Sequence, residues 1–262
     1  MSMKGKNEVR RRQKGFSLIE LLTVVVILML VTGVVFQQID LVQKRSRQED
    51  VKMDLTQESR EFLDQMVRDL HTSGYPNKHM YIVNLFGASP NDQRDSRNAV
   101  GLVQVTPTVL WFEGDVDGDG QVDSIQYQLQ SNGGRCPCTI RRSQVVKVNG
   151  TAPLAQAANF NQEVNNVINS GGAFPITGTS PPGLAAPDVL YGAYKAAPVF
   201  QAYDANGALV ALPVDINANL ATMSTIKTIR ITINVLAGPE GTDIQTRMRP
   251  VVSMTAAARI NN

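Results

Sequence analysis

The sequence predicts an α+β fold in which one long N-terminal helix packs on a C-terminal antiparallel β-sheet domain. Three observations carry that expectation. Residues 16–36 form an apolar run, residues 37–71 contain neither proline nor glycine, and beyond Pro76 come short β-branched or aromatic segments bounded by Gly, Pro, Asn or Asp.

The chain has 262 residues, 43% of them hydrophobic, with two cysteines and two histidines. A wholly disordered polymer would be poorer in apolar residues, and a disulfide-knotted miniprotein shorter and richer in cysteine. The length allows one large domain or two small ones. The formal charge is only +2, which argues against a dedicated nucleic-acid binder unless basic groups cluster. One cluster exists, at the N-terminus. Lys4, Lys6, Arg10, Arg11, Arg12 and Lys14 against Glu8 give residues 1–15 a charge of +5, and the remainder comes to −3.

The apolar run FSLIELLTVVVILMLVTGVVF follows that basic leader, and its only ionisable side chain is Glu20. As a helix it would be ~31 Å long, close to the hydrocarbon thickness of a bilayer. An ordinary secretory signal has a shorter apolar core followed by a small-residue cleavage site. Here no such site follows Phe36, and the chain continues as polar, helix-compatible QQIDLVQKRSRQED. The run therefore reads as retained. The positive leader should stay in the cytoplasm, and the bulk of the chain should cross the membrane.

Gly15, Phe16 and Glu20 give this segment its chemistry. A carboxylate in an apolar helix costs roughly 3 kcal/mol on insertion scales unless it is paired or near the interface. One reading is a signal anchor with a tolerated polar residue. The other rests on KGFSLIELL, residues 14–22, which resembles the recognition sequence of type IV prepilins and pseudopilins. That resemblance implies cleavage by a prepilin peptidase between Gly15 and Phe16, N-methylation of Phe16, and assembly with other pilins, minor pilins or pseudopilins. It further implies that Glu20 neutralises the Phe16 amine of a neighbouring subunit. Gly15 offers a protease an unobstructed backbone, and the ion pair would offset the cost of a charge among apolar atoms.

Beyond the span, Ile39, Val42, Phe62, Leu63, Met66, Val67 and Leu70 supply an apolar helical face, strongest in the last three turns. Gly74 and Tyr75-Pro76 give the stop signal. Residues 55–75 resemble the end of the same helix in PilW/PulJ-type minor pilins. Arg68 and Asp69 read as helix-surface charges.

The expected strands are TVLWF, SIQYQLQ, TIRRSQVVKV, PVFQAYD, ALVALPV, TIKTIRITINVLA and RPVVSMTAAARI. Asn206-Gly207 marks a hairpin between two of them. Residues 149–190, rich in Asn, Ala, Gly and Pro with a Pro181-Pro182-Gly183 corner, read as an insertion that is partly helical around residues 155–168. Arg141 and Arg142 read as a solvated strand face.

Residues 114–127, GDVDGDGQVDSIQY, alternate Asp115, Asp117 and Asp119 before Gly120, with Asp123 following. This matches the first part of an EF-hand-like calcium loop, with Gln121 offering its backbone carbonyl. Gln126 stands where a bidentate glutamate belongs, and the flanks read as strands. This is not an EF-hand. A calcium-binding hairpin loop and an ion-free Asp/Gly-rich turn both fit.

Cys136 and Cys138 flank Pro137. Two thiols are too few for a closed zinc site, and His71 and His79 lie far off in sequence. Extended backbone puts residues two apart at the wrong separation for an unstrained disulfide. Export to an oxidising compartment still allows a bridge or cross-linking.

No phosphate-binding glycine loop, HExxH or GxSxG motif is present, so the chain is not expected to be an enzyme. Neither is a nucleic-acid partner evident. The expected organisation is a cleaved leader (1–15), a membrane and filament-core helix (16–36), its amphipathic continuation (37–75) and a β-rich domain (76–262) with the 149–190 insertion. The chain is expected to sit in the inner membrane as a single-pass protein, its C-terminal domain outside the cytoplasm, and then to enter a pilus or pseudopilus through the pilus assembly machinery. Its size suits a minor type IV pilin that primes or caps assembly. A PulJ-like pseudopilin of type II secretion and a non-polymerising, membrane-anchored calcium-binding module are the alternatives.

Overall fold

A computed structural model describes residues 15, 17–77, 80, 93–178, 180, 182–243 and 245–260. The leader residues 1–14, Phe16, His79 and Pro181 lie outside the described residues. The chain divides into two units, Met1–Ser46 and Arg47–Asn262.

The first unit is the N-terminal part of helix α1 (Leu18–His71). Its residues 18–40 are all exposed, and the helix contains a stretch long and apolar enough to cross a membrane. Lys44 pairs with Asp40 at 2.7 Å on its exposed surface.

The second unit packs the remainder of α1 on an antiparallel sheet. The strands are β1 (Leu102–Val105), β2 (Val109–Gly114), β3 (Asp123–Asn132), β4 (Arg135–Val146), β5 (Phe160–Val167), β6 (Phe200–Asp204), β7 (Leu209–Val210), β8 (Val214–Asp215), β9 (Ile226–Leu236) and β10 (Val251–Arg259). Three short helices, α2 (Pro187–Leu190), α3 (Gly192–Ala196) and α4 (Leu220–Thr225), lie in the connections. The order across the sheet is β7-β6-β9-β5-β4-β3-β2-β1-β8, with β10 also paired to β9.

The single long N-terminal helix and the expected strands appear, with one division: ALVALPV splits into β7 and β8, which pair with β6 and β1 respectively. Asn206-Gly207 forms the β6–β7 turn. Two strands escaped the sequence reading. β1 is four residues long, and β5 runs through the segment expected to be partly helical. FNQEVNNV carries few apolar residues, yet Val164 and Val167 are fully buried where β5 joins β4 and β9.

Phe62, Leu63, Met66 and Leu70 reach the core, where they join Leu110, Phe112, Ile125, Tyr127, Ile140, Ile229 and Ile231. Ile39 and Val42, assigned to the same apolar face from sequence, are exposed. Phe62 meets Tyr127 edge-on at 5.9 Å, and Phe112 stacks on Tyr127 at 6.5 Å. A smaller cluster of Val103, Trp111 and Ile216 forms separately, with the Trp111 Nε1–H donating to Ser124 Oγ at 2.8 Å.

The end of α1 is tied to β2. Gly74, at φ 79°, takes the left-handed conformation that ends helices. Its N–H donates to the Glu113 carbonyl at 2.9 Å, and the Asp115 N–H donates to the Tyr75 carbonyl at 2.9 Å. The helix stop and the start of the acidic loop are thereby joined.

Candidate functional site

Gly15 and Ser17 are exposed before the helix, with no atom in reach of a Cβ at Gly15. The Leu21 N–H donates to the Ser17 carbonyl, 3.1 Å away, and this closes the first turn. Glu20 sits in that turn, where a carboxylate complements the partial positive charge of the helix N-terminus. Among the described residues nothing pairs with its carboxylate.

The two threonine hydroxyls within the apolar run are satisfied by the helix itself. Thr23 Oγ1 donates to the carbonyls of Ile19 and Glu20, each at 2.9 Å, and Thr32 Oγ1 donates to that of Leu28 at 2.7 Å. Such back-bonding removes the cost of an unpaired hydroxyl in hydrocarbon. Glu20 is then the one group in residues 18–36 whose charge needs a partner from elsewhere.

The acidic loop joins β2 to β3 as a hairpin connection. Carboxylate oxygens of Asp115, Asp117 and Asp119 lie within 4.8 Å of one another. Both oxygens of the buried Asp115 accept backbone N–H groups, from Gly118 at 2.8 Å and Gly120 at 3.1 Å. The Gln121 amide and side chain donate to Asp119 at 2.7 and 2.9 Å. Gln144 bridges the loop to β4, donating to Asp123 at 2.8 Å and Asp117 at 3.3 Å. Asp123 is 3% exposed. Burial pushes its carboxyl up to about 6, with repulsion from Asp117, Asp119 and Asp115 adding to the shift and the Gln144 hydrogen bond opposing it. Gln126 lies in the β2–β3 ladder opposite Trp111, out of the loop.

Cys136 and Cys138 form a disulfide within β4, their Cα atoms 4.4 Å apart. That separation lies at the short end of the usual range, closer than extended backbone would hold them. Both residues are buried, at 0% and 1% exposed. Around the bridge, the Cys136 N–H donates to the Pro175 carbonyl at 2.8 Å, and the Thr177 N–H donates to the Cys136 carbonyl at 2.7 Å.

Two expectations about charge need correction. Asp69 and Arg142 are not surface groups. Asp69 Oδ2 accepts from the Tyr127 hydroxyl at 2.6 Å and from Arg142 Nε at 2.8 Å, and the two side chains are only 11% and 14% exposed. A charge on the inner face of an amphipathic helix is tolerated when a partner strand supplies the counter-charge. Arg68 does stay exposed.

The exposed apolar helix, the bare Gly15 and the lone Glu20 carboxylate all fall within one short stretch of sequence. Residues 10–36 match the prokaryotic N-terminal methylation motif. The match supports a type IV pilin-like protein, and the motif implies processing by a prepilin peptidase and assembly with pilin machinery. The apolar helix and the motif together fit anchoring in a membrane. No curated protein and no solved structure matches the chain significantly.

Proposed function

We propose that this chain is a minor type IV pilin, a structural subunit that primes or caps pilus assembly after cleavage between Gly15 and Phe16. The observation that carries the reading is Glu20, a carboxylate with no partner among the described residues, inside an exposed apolar helix that overlaps the methylation motif. Before assembly the helix holds the subunit in the inner membrane, with the β-domain on the far side. On extraction into a filament, burial of apolar helix surface against neighbouring helices stabilises association at about 25 cal/mol per Å². The Glu20 carboxylate meets the methylated Phe16 amine of a neighbour and sets the register. This role asks for no catalysis by the chain.

The test is a pair of variants followed by intact mass and by recovery of sheared pili. Glu20→Ala should be processed normally yet be absent from filaments. Gly15→Leu should retain its leader. Normal incorporation of both would overturn the reading.

The loop between β2 and β3 supports an accessory proposal, that Asp115, Asp117, Asp119 and Asp123, with the Gln121 carbonyl, hold a calcium ion. Hard oxygen ligands suit that cation, and it would relieve the mutual repulsion of the carboxylates. The hydrogen bonds already made to Asp115 and Asp119 hold the loop in shape before any ion arrives.

A further inference from the structure

A cavity of about 300 Å³ lies in the second unit, between the segment around α2 and the connection from β9 to β10. Its size falls at the lower end of small-molecule pockets. Leu190 of α2, Leu236 at the end of β9 and Met248 give it apolar walls, and Arg247 and Arg249 line it beside them.

The connection that carries both arginines is built before any ligand arrives. One Asp243 carboxylate oxygen accepts the N–H groups of Gln245 and Thr246 at 2.9 and 2.6 Å, and Gln48 of α1, itself 6% exposed, donates to the other at 3.0 Å. The Asp243 carbonyl accepts the Arg247 N–H, and the Asp243 N–H donates to the Met248 carbonyl, each at 2.8 Å. This closed turn holds Arg247 at φ 57°, a left-handed conformation uncommon for a residue with a side chain. The Tyr191 hydroxyl accepts the Arg249 N–H and donates to the Arg249 carbonyl, each at 3.1 Å. The Arg249 Nε–H donates to the Ala237 carbonyl. A ligand therefore meets a preorganised wall.

Most donors around the cavity are already used. The backbone N–H groups of Thr177, Tyr191 and Thr242 donate to carbonyls, as do the hydroxyls of Thr177, Ser180 and Thr242. The Arg247 guanidinium and the Arg249 Nη groups have no hydrogen-bond or ion-pair partner among the described residues. Burial lowers the Arg249 pKa, with the charges of Tyr191 and Glu240 opposing it, and an anion at the Nη groups would offset that burial. The unused donors are thus two planar guanidinium forks, which match the two coplanar oxygens of a carboxylate. A phosphate would turn its further oxygens toward apolar walls and hydroxyls whose hydrogens are already given away.

We propose that this cavity binds a small organic carboxylate, its oxygens held by Arg247 and Arg249 and its short hydrocarbon tail lying against Leu190, Leu236 and Met248. The site stands independently of whether the chain enters a filament.

The experiment is calorimetry on the full chain in detergent with hexanoate, the heat of the same injections into detergent alone being subtracted. Hexanol carries the tail without the charge, and inorganic phosphate the charge without the tail. The expected result is saturable binding of hexanoate at least tenfold tighter than of either control. Arg247→Asn removes an exposed guanidinium while keeping a residue that tolerates the left-handed φ, and Arg249→Lys keeps the charge but loses the fork. Each should weaken hexanoate at least tenfold. Acetyl-glycyl-leucine, titrated beside its C-terminal amide, distinguishes the source. Binding of the peptide acid tighter than of hexanoate supports the site as one for a polypeptide's carboxyl end, and weaker binding supports the free acid. Absence of saturable heat with both acids overturns the proposal. So does a control that binds within tenfold of hexanoate, or an unchanged affinity in Arg247→Asn at retained melting temperature.

Discussion

Asp69 on α1 and Arg142 on β4 are 2.8 Å apart, although 73 residues separate them in the chain. The Tyr127 hydroxyl donates to the same Asp69 oxygen, and the Arg142 guanidinium lies 5.9 Å from the Tyr127 ring. Burial, and then the Asp69 charge, push the Tyr127 phenol well above its usual range, so the tyrosine serves as a fixed hydrogen-bond donor. Apolar packing of Phe62 to Leu70 is not directional in the way a hydrogen bond is. A buried charged hydrogen bond is directional, and this clasp adds to the apolar contacts in specifying which face of α1 meets β3 and β4.

Removing one partner should therefore cost more than removing both. Asp69→Ala leaves the Arg142 charge buried without its partner and should destabilise the β-domain by about 3 kcal/mol. Asp69→Leu combined with Arg142→Met should recover at least half of that loss. Chemical denaturation of the single and double variants checks this, and an equal loss in both would show that the pair contributes only through packing.

A second buried pair secures the segment before β1. Lys147 Nζ donates to Glu113 Oε2 at 2.7 Å and to the Asn98 carbonyl at 2.8 Å, with both charged side chains 0% exposed. The Val100 N–H also donates to Glu113, while Glu113 Oε1 has no partner among the described residues. Burial raises the Glu113 pKa, and Lys147 opposes that rise. Lys147→Met should cost about 3–5 kcal/mol at neutral pH. Because the raised pKa means that the folded state holds its proton more tightly than the unfolded state, part of the loss should return as pH falls toward the ordinary carboxylate range. A deficit that does not change with pH would count against an ionised Glu113 in the variant.

Gly114 should be irreplaceable for a reason of space. A Cβ there would collide with the backbone carbonyl of Thr72, where the end of α1 crosses the end of β2. Gly114→Ala has to push the helix terminus off the strand, and a loss of 2 kcal/mol or more, on the order of other overpacking changes, is expected by thermal melting. Gly118→Ala has open space and should be hurt only by its left-handed φ of 75°.

Much of this fold is legible in residue order because local signals and tertiary demands agree. The Phe62-to-Leu70 spacing, the Gly74 stop and the Asn206-Gly207 turn each state their element directly. β5 is not legible. Its polar FNQEVNNV is held by two valines and by ladders to β4 and β9, and neither neighbour is visible from the segment itself. Asp69, Arg142, Glu113 and Lys147 fail for a related reason. A charged residue defaults to the surface in any local reading, and only the fold reveals the distant partner that permits burial. At the segment that matches the methylation motif the reverse holds. The motif is read from residue order alone because its signals are local, and the structure adds the self-satisfied Thr23 and Thr32 hydroxyls.

The acidic loop gives the sharpest dependence on pH. Asp123, whose pKa is raised to about 6, binds its proton more tightly folded than unfolded. Stability from this group is therefore greatest below about pH 4, the unfolded carboxylate range, and declines as pH rises through 6. Asp123→Asn should flatten that decline by about 1–2 kcal/mol, allowing for screening. The lowered carboxyls of Asp95, Asp188 and Asp243 act with the opposite sign and are common to both proteins, so the difference between parent and variant isolates Asp123. Calcium would reverse the trend, because a cation among Asp115, Asp117, Asp119 and Asp123 favours their ionised forms. At pH 7, millimolar calcium should then raise the melting temperature of the parent, and the gain should shrink at pH 5, where protons compete. Asp119→Ala should abolish both the stabilisation and the calorimetric heat. A melting temperature indifferent to calcium at pH 7, together with an absence of heat, would leave the loop as an ion-free hairpin held by its own Asp-to-backbone hydrogen bonds.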